Sequence, residues 1–486
     1  MNTEEIPLIN LEEVEIDHGF QFVKPVNLKL MPGENWIIYG SNGSGKTCLV
    51  NTLKHSYRLK HGSITYFFGE GSNCSCYKNI RCVTFKDQYS SDMATLPYQM
   101  RWNHGTVDLN FEPLIKDFIT ELSNLPSIFT EKIFRTVDFV KIKDRSIRSL
   151  SSGEFRRFQI LQILTKHPKV LIIDNPFIGL DKEGRNTVMS LLDTATKLLK
   201  ISIIIVVSRL PENLAGFSHI ILVKDHMIEK KPICSFMDKV TEHNNVFFES
   251  SKSIESKTSS KIIVQANNIC INYGDTKVLE NLNLVIRQGE HWAITGPNGS
   301  GKSTLLSLIC ADNPQSYACD ITLFGRRRGS GESIWDIKKN IGFVSPEMFM
   351  SFRRNMNTLD VVATGVFDTT GVFLHPKETD YAKAEKWLDV FQISKLRNRP
   401  YLTLSSGQQR LVLLCRAFVK EPQLLILDEP FHGLDTYNVL KAKEIITDYI
   451  ISKSDRTLIM VSHYEAEFPQ IIDHYFQFKK NTPVIK

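Results

Sequence analysis

The chain of 486 residues contains the same ordered set of motifs twice, and this repeat constrains its fold more than any other feature. The stretch GSNGSGKT at Gly40–Thr47 recurs as GPNGSGKS at Gly296–Ser303. Three further motifs recur in the same order, each about 254 residues downstream. They are LSSG, a hydrophobic run that ends in Asp and is followed by GLD, and a second hydrophobic run that ends in VS. Chance does not produce four motifs in one order at nearly one spacing. The sequence therefore predicts two homologous domains in tandem.

A polar segment between the two copies is predicted to be a flexible linker. Residues 249–261 have the sequence ESSKSIESKTSSK, which is almost without apolar residues. We expect the first domain to comprise residues 1–248 and the second residues 262–486. A linker of this length reaches roughly 20 Å, so it lets two domains meet face to face but leaves no room for a helical arm.

Short, uninterrupted hydrophobic runs alternate with longer amphipathic segments in both halves, which is typical of α/β domains. Such runs suit strands that are buried on both faces of a mainly parallel sheet. The stretch between the glycine-rich loop and LSSG is more helical, for example Glu378–Leu396, and it predicts a separate helical subdomain. The predicted core strands are Trp36–Tyr39, Val170–Ile173, Ile203–Val207, Trp292–Thr295, Leu424–Leu427 and Thr457–Val461.

Composition excludes several other classes of protein. The nine cysteines form no CxxC pair, which favours reduced thiols over a zinc site or a disulfide framework. The net charge of +6 is modest and spread along the chain, unlike the strong basic stripe of a dedicated nucleic-acid binder. No apolar run approaches the roughly 18 residues of a membrane span, and the acidic first residues lack a signal core. We therefore expect a cytoplasmic protein.

Each glycine-rich stretch has the GxxxxGK[ST] pattern of a phosphate-binding loop. The glycines let successive backbone N–H groups turn inward around an anion, and the following helix N-terminus adds partial positive charge. Lys46 and Lys302 are predicted to reach the β- and γ-phosphates, while Thr47 and Ser303 supply a hydroxyl to Mg²⁺. The predicted nucleotide-binding residues are Gly40, Ser41, Asn42, Gly43, Ser44, Gly45, Lys46 and Thr47 in the first loop, and Gly296, Pro297, Asn298, Gly299, Ser300, Gly301, Lys302, Ser303 and Thr304 in the second.

An aspartate ends one hydrophobic strand in each half, and the residue after it differs between the halves. Asp174 and Asp428 fit the carboxylate that organises Mg²⁺ in P-loop NTPases. In the second half Glu429 follows and can polarise the attacking water, whereas Asn175 in the first half cannot accept a proton. Loss of a positioned general base typically lowers a rate about 10²–10⁴-fold, so we expect the two sites to differ in hydrolysis.

LSSG[EQ] before the Asp strand, GLD after it and a terminal VSH resemble the ATP-binding cassette (ABC) ATPases, once in each half. The resemblance implies two P-loop NTPase domains that hydrolyse ATP with Mg²⁺, each with a mainly parallel sheet and an α-helical signature subdomain. It also implies that the cassettes pack head to tail, with ATP between the phosphate loop of one and the signature of the other. Ser405 and Gly407 would then close the first site, and Ser151 and Gly153 the second. The serines at 152 and 406 replace the family's first signature glycine.

The resemblance assigns roles to three further positions. His463 stands at the switch histidine of the second half, where the first half has Arg209, which cannot shuttle a proton near neutral pH. Tyr273 stands where the family keeps an aromatic that stacks on adenine; the alternative is an ordinary core aromatic at a strand end. We expect the first site mainly to bind ATP and the second to hydrolyse it, with Glu429 and His463 as catalytic residues. The alternative is that Asn175 and Arg209 are tolerated changes in two equivalent sites.

The glutamine that senses Mg²⁺ in this family is replaced or displaced in both halves. Pro346 and Glu347 stand at its position in the second half, and Gln88 is shifted from it in the first. The sequence leaves open whether Glu347 or Gln88 replaces it. In transporter ATPases this segment helps to couple the cassette to membrane subunits, so the departure weakens a plain transporter interpretation.

Three stretches resemble the ModF-type proteins, tandem cassettes named as molybdenum-transport ATP-binding or photorepair proteins. They are Leu323–Ser345 and Val361–Phe373 in the second half and Tyr98–Asn103 in the first. The resemblance implies the ATPase component of a transporter, with molybdate as a candidate cargo. Its partners would be separate membrane-spanning subunits, and the chain itself would lie peripherally at the inner face of the cell membrane.

The alternative function is a soluble ABC ATPase that acts on a macromolecule, such as nucleic acid or the ribosome. The run Arg326–Arg328 is the feature that suggests it. Attraction to phosphates needs several spread cations rather than one tripeptide, so a solvated hairpin is the better interpretation. A nucleic-acid partner is therefore not favoured.

Overall fold

The computed structural model describes residues 6–17, 19, 21–69, 76–84, 114–118, 131, 134–135, 142–144, 152–177, 179–236, 261–273, 276–346, 348, 352, 355–369, 375–478 and 483–485. These residues divide into two compact units, one up to residue 236 and one from residue 261 onward. Residues 249–260 of the predicted linker lie outside the described residues. The domain boundaries at 248 and 262 therefore stay a prediction.

The first unit consists of an antiparallel sheet and a mainly parallel core sheet. Its strands are β1 Ile9–Ile16, β2 Val26–Leu30, β3 Trp36–Tyr39, β4 Leu59–Tyr66, β5 Ile80–Val83, β6 Val170–Asp174, β7 Ser202–Val207, β8 His219–Lys224 and β9 Met227–Pro232. Its α-helices are α1 Lys46–Leu53, α2 Cys76–Asn79, α3 Ser152–Leu164 and α4 Lys182–Leu199, with a 3₁₀ turn at Ile115–Phe118. In the described part of this unit the antiparallel sheet has the order β2-β1-β4 and the core sheet the order β5-β6-β7-β3-β8-β9.

The second unit repeats this architecture and shows more of the helical subdomain. Its strands are β10 Ile262–Tyr273, β11 Thr276–Arg287, β12 His291–Thr295, β13 Asp320–Leu323, β14 Arg326–Arg327, β15 Ile341–Val344, β16 Leu424–Asp428, β17 Thr457–Val461, β18 His474–Phe478 and β19 Pro483–Ile485. Its α-helices are α5 Lys302–Ile309, α6 Ile334–Lys338, α7 Thr358–Ala363, α8 Glu378–Val390, α9 Ser406–Phe418 and α10 Thr436–Ile451. Its 3₁₀ turns are Pro314–Ala318, Thr364–Val366, Ser394–Leu396, Tyr401–Thr403 and Glu465–Glu467.

The core sheet of the second unit has the same strand order as that of the first. Among its described residues the order is β15-β16-β17-β12-β18-β19, and only the last pair is antiparallel. In each unit the strand that precedes the phosphate loop (β3 or β12) lies next to β7 or β17, which in turn lies next to the strand ending in Asp. Since parallel strands end at one edge of a sheet, this order gathers the motifs that follow them.

The predicted parallel sheets are confirmed by burial on both strand faces. All four residues of Val170–Ile173 and of Leu424–Leu427 are fully inaccessible to solvent. Helix α4 covers the first sheet with Val188, Leu191 and Leu192, which recur at the spacing of one helical face. Burial of each such side chain stabilises the fold by about 1.5–3 kcal/mol. The α/β fold class is therefore correct in both halves.

The predicted helical segment Glu378–Leu396 is interrupted near its end. Helix α8 stops at Val390, and Gln392 has a φ of 55°. The Ile393 N–H then bonds to the Leu388 carbonyl at 2.9 Å and the Gln392 N–H to the Asp389 carbonyl at 2.8 Å. These two bonds form a Schellman motif, which usually has glycine at the left-handed position. Gln392 gives no such signal, so the sequence pattern predicted a helical segment that extends beyond the real end of the helix.

Candidate nucleotide sites

The lysine of each phosphate loop is held against the backbone of its own loop. In the first unit Lys46 Nζ donates to the carbonyls of Gly40 and Ser41, both at 2.7 Å. In the second unit Lys302 Nζ donates to the carbonyls of Gly296 at 2.8 Å and Pro297 at 2.7 Å. The two loops therefore position their ammonium groups in the same way.

The first glycine of each loop is required by close packing of the neighbouring strand. A Cβ on Gly40 would lie 2.1 Å from the Val223 carbonyl oxygen, and one on Gly296 would lie 2.7 Å from Phe478 Cβ. Both neighbours belong to the strand beside the loop, β8 or β18. The motif thus reflects a steric limit as well as the turn of the backbone.

The helices after the loops begin without a side-chain cap, which suits anion binding. Gly45 and Gly301 occupy the N-cap positions with φ of 108° and 97°, and neither helix receives a side-chain cap hydrogen bond. Orphan N–H groups at a helix start, together with the helix dipole, attract phosphate. The phosphate loops thus have the features expected of a nucleotide site.

Two hydroxyl groups in each loop region differ in exposure. Ser44 Oγ and Ser300 Oγ are buried and have no hydrogen-bond partner among the described residues. Thr47 and Ser303 lie one residue into α1 and α5 and are exposed, although their helix neighbours are buried. Mg²⁺ is usually bound by one or two protein oxygens together with substrate phosphates and water. The exposed hydroxyls and the carboxylates of Asp174 and Asp428 are oxygen donors of that kind, and their binding of Mg²⁺ stays a prediction.

Asn175 and Glu429 lie at equivalent backbone positions directly after the Asp strands. Their φ angles are 52° and 47°, in the left-handed region. The Asn175 N–H bonds to the Val206 carbonyl at 2.8 Å, and the Glu429 N–H bonds to the Val461 carbonyl at 3.0 Å. Only the side chain therefore distinguishes the two positions.

The Glu429 carboxylate is buried between two histidines. Its Oε2 lies 3.0 Å from His432 Nε2 and its Oε1 lies 3.5 Å from His463 Nε2. Each carboxylate oxygen therefore faces an imidazole nitrogen. Burial raises the pKa of Glu429, but the two histidines and Lys302 outweigh it and hold that pKa below its ordinary value. The group is thus an ionised carboxylate with acceptor capacity for a water molecule.

In the first unit, the residue equivalent to Glu429 and the segment around the switch position make different hydrogen bonds. Asn175 Nδ2 donates to Asp174 Oδ1 at 2.8 Å, so the amide binds the carboxylate that is predicted to hold Mg²⁺. Before the half-buried Arg209, Ser208 Oγ donates to Asn42 of the phosphate loop at 3.0 Å. In the second unit the equivalent Ser462 instead donates to Glu467 at 2.5 Å. The two sites differ beyond the substituted residues themselves.

The second signature starts helix α9 with a capping box. The Gln408 N–H bonds to Ser405 Oγ at 3.3 Å, and the Ser405 N–H bonds to Gln408 Oε1 at 3.1 Å. Because Ser405 Oγ accepts this bond, its own O–H proton remains able to donate to a phosphate. Gly407 is buried in the first turn. Gly153 lies in α3, and Ser151 lies outside the described residues.

An equivalent arginine links each signature helix to the core sheet. Arg410 Nη1 donates to the Ser345 carbonyl at 3.2 Å, directly after β15. Arg156 Nη1 donates to the Thr84 carbonyl at 3.5 Å, directly after β5. Signature helix and core strand are therefore connected in the same way in both units.

Comparison with known proteins supports the repeat independently of this geometry. The family model for ABC transporters matches residues 23–178 and again residues 279–432. The chain belongs to the ABC transporter family. The match covers both phosphate loops and both Asp strands, so the chain is an ATPase with two ATP-binding cassettes.

Curated relatives of the family resemble the chain over nearly its full length. The ABC transporter ATP-binding protein ModF of Escherichia coli (strain K12) is 32% identical over 466 residues, covering 93% of this chain and 92% of that protein. An uncharacterized ABC transporter ATP-binding protein of Schizosaccharomyces pombe is 29% identical, covering 94% and 95%. One of Saccharomyces cerevisiae is 26% identical, covering 93% and 92%. The predicted resemblance to ModF-type ABC proteins is confirmed.

Tyr273 is attached to the core of its cassette at the end of β10. Its hydroxyl accepts a hydrogen bond from Asn313 Nδ2 at 2.9 Å, and its ring packs partly against the main core cluster. Burial raises the pKa of the Tyr273 hydroxyl. Stacking on adenine stays a prediction, as does the core role.

Gln88 and Glu347 both lie outside the described residues. Which of them replaces the glutamine that senses Mg²⁺ in this family therefore stays open.

The arginine run is engaged by neighbouring acids of its own unit. Arg328 is fully buried, with Nη1 at 2.5 Å from Glu332 Oε1 and its guanidinium 4.3 Å from the ring centre of Tyr317. Arg326 lies 3.6 Å from Asp336 and Arg327 lies 3.3 Å from Asp320. The exposed Arg326 and Arg327 fit the predicted solvated hairpin, whereas the buried Arg328 departs from it because it pairs with Glu332. No helix within the described ranges has both the length and the apolar character of a membrane span.

His432 is a site residue that sequence reasoning missed. It lies in the EPFHGLD segment, three residues after Glu429, where the first cassette has Ile178 in NPFIGLD. The contrast between histidine and isoleucine at aligned positions was the available signal. Sequence alone did not show that the turn brings this side chain back to Glu429.

Proposed function

We propose that the second cassette hydrolyses ATP while the first mainly binds it. One observation carries the proposal: Glu429 and Asn175 share a backbone conformation, yet one side chain is a buried carboxylate and the other an amide bonded to Asp174. An amide can hydrogen-bond to water but cannot take its proton. Hydrolysis at the first site therefore lacks the group that the second site provides.

In the second site, Glu429 accepts a hydrogen bond from the attacking water and takes up its proton as the water oxygen bonds to the γ-phosphorus. The bond between that phosphorus and the β–γ bridging oxygen breaks, and ADP leaves with the electron pair. His463, close to Oε1, donates to the γ-phosphate and helps to orient the same carboxylate. Lys302 neutralises charge on the β- and γ-phosphates. Ser303 and Asp428 would hold Mg²⁺, which when bound neutralises charge on the phosphate oxygens.

The family resemblance supports a further part of the proposal. The two cassettes pair head to tail when ATP binds, with Ser405 and Gly407 completing the first site and Ser151 and Gly153 the second. An ATP molecule that stays in the first site would keep the pair together while the second site turns over.

Steady-state ATPase rates of matched variants test the asymmetry. Glu429→Gln replaces the carboxylate with an amide and is expected to lower kcat at least about 10²-fold. The matched control Asn175→Gln keeps an amide at the first site and is expected to leave kcat within twofold. Full activity of the Glu429→Gln variant, or equal losses from both variants, would contradict the proposal.

We further propose that the chain energises a membrane transporter whose spanning subunits are separate chains. The names of its relatives as ABC transporter ATP-binding proteins support this role. Molybdate as the cargo rests on the ModF-type resemblance alone. The ion pairs of the arginine run give a nucleic-acid role no separate support.

Capture of partners by the ATP-loaded Glu429→Gln variant tests the transport role. After crosslinking, the transporter proposal predicts that membrane proteins are enriched, whereas enrichment of ribosomes or DNA would favour the macromolecular alternative. Molybdate accumulation in cells that express either the wild type or the variant tests the cargo separately. Equal accumulation in both would reject molybdate.

A further inference from the structure

His432 lies in the second cassette against the residue proposed to activate water. Its Nε2 is 3.0 Å from Glu429 Oε2, and each of the two side chains is only about 6% exposed. Such a buried position leaves a titratable side chain little contact with solvent. Each side chain is therefore a principal polar neighbour of the other.

A tight turn produces this contact. The His432 N–H bonds to the Glu429 carbonyl at 3.4 Å, which brings residues 429 and 432 together. Pro430 occupies the second position of this turn, where its fixed φ is favourable. Phe431 is buried at 1% exposure and anchors the turn in the core. The backbone therefore holds the His432 side chain beside the carboxylate.

The two histidines hold Glu429 from two sides. His432 faces Oε2, and His463 faces Oε1 at 3.5 Å. A carboxylate on a flexible side chain must be held within a fraction of an ångström to orient a water molecule productively. A single contact at Oε1 would leave rotation of the carboxylate unrestrained.

We propose that His432 is a positioning residue for hydrolysis, which holds Glu429 Oε2 so that the carboxylate faces the attacking water. It acts through Glu429 rather than on the nucleotide. The inference rests on the proposed role of Glu429 and extends it to His432, the residue before the GLD motif.

The first cassette provides a natural control. Its equivalent sequence positions carry Asn175 and Ile178, so the carboxylate and the histidine are absent together. His432→Ile therefore installs the residue of the other cassette. His432→Gln keeps a neutral N–H donor of similar reach, and it is the conservative variant.

The test measures kcat and KM for ATP in the full chain. His432→Ile is expected to lower kcat about 10–100-fold, since displacement of a catalytic group by about 1 Å costs this much. KM should change less than twofold, because His432 is not part of the phosphate loop. His432→Gln should recover kcat to within about fivefold of wild type. If His432→Ile does not fold, His432→Phe keeps the ring volume, removes both nitrogens and should show the same loss.

A double variant separates this inference from the proposed function. If His432 acts through Glu429, adding His432→Ile to Glu429→Gln should lower the residual rate less than twofold. Unchanged kcat in His432→Ile, equal losses in the Ile and Gln variants, or additive losses in the double variant would each overturn the positioning role. Full activity of Glu429→Gln alone would instead overturn the proposed function.

Discussion

Glu429 and Asn175 adopt the same left-handed backbone conformation, with φ of 47° and 52°, at the ends of equivalent strands. Asparagine tolerates this conformation better than other residues with a Cβ, because its short side chain can bond locally. Asn175 does so through Asp174. Glutamate lacks this advantage, so the second cassette carries its buried carboxylate at a conformational cost.

This cost leads to a prediction about stability. Glu429→Asn should raise the melting temperature above that of Glu429→Ala, because both remove the charge but only asparagine suits the left-handed backbone. A gain of about 1 kcal/mol corresponds to about 2–4 °C for a domain of this size. Differential scanning calorimetry of the two variants measures the difference. An alanine variant at least as stable as the asparagine variant would count against backbone strain at this position.

The phosphate-loop glycines are predicted to differ in their tolerance of a methyl group. Gly40→Ala places a Cβ 2.1 Å from the Val223 carbonyl oxygen, so the loop must shift. Gly43→Ala has a φ of 81° but meets nothing within 4 Å, so it costs only about 1–2 kcal/mol of backbone strain. Calorimetric titration with ATP should show one binding site lost in Gly40→Ala and two retained in Gly43→Ala. Equal effects of the two substitutions would argue against the steric explanation.

Ser405 is predicted to have two separable roles. Ser405→Ala removes the cap of α9 and should lower the free energy of unfolding by about 1 kcal/mol. Ser405→Asp keeps an N-cap acceptor but adds negative charge where the γ-phosphate of the first site is proposed to bind. It should retain stability yet release nucleotide from the first site faster. Denaturant unfolding and nucleotide retention measure the two effects; unaltered retention in Ser405→Asp would remove Ser405 from the site.

The pair of Glu34 and Lys230 predicts a pH-dependent contribution to stability. Lys230 Nζ lies 2.9 Å from Glu34 Oε2, and the Trp36 indole N–H donates to the same oxygen at 3.0 Å. Burial raises the pKa of Glu34, but these bonds and the charge of Lys230 outweigh it, so that the pKa lies below its ordinary value of 4.5.

Since the folded-state pKa is depressed, the stabilisation is present above pH 4.5 and is lost as the pH falls through the lower folded value. Wild type should therefore exceed Glu34→Gln in free energy of unfolding at pH 7, and the difference should shrink below pH 4.5. Urea unfolding of both proteins across this range measures it. Lys230→Met is the matched control: in its background, Glu34→Gln should change the free energy of unfolding much less. If wild type and Glu34→Gln differed by the same free energy at every pH, the ion pair would not be the source of the difference.

Much of the fold follows from local pattern in the sequence. Val170–Ile173 and Leu424–Leu427 are uninterrupted apolar runs that suit a strand buried on both faces, and each has a parallel strand on either side. The end of α8 at Val390 did not follow, because the left-handed Gln392 has neither the glycine nor the proline that usually marks such a site. Local propensity was overruled there by backbone hydrogen bonds.

The sequence by itself determined the repeat, the phosphate loops and the identity of the residues after the two Asp strands, because each depends on residue type at fixed local spacing. Only the tertiary structure decided that Glu429 lies between His432 and His463, since these contacts depend on the strand order and on the turn after β16. It likewise decided that the amide of Asn175 binds Asp174. Contacts between side chains arise from how the backbone folds back on itself, and residue spacing alone does not contain that information.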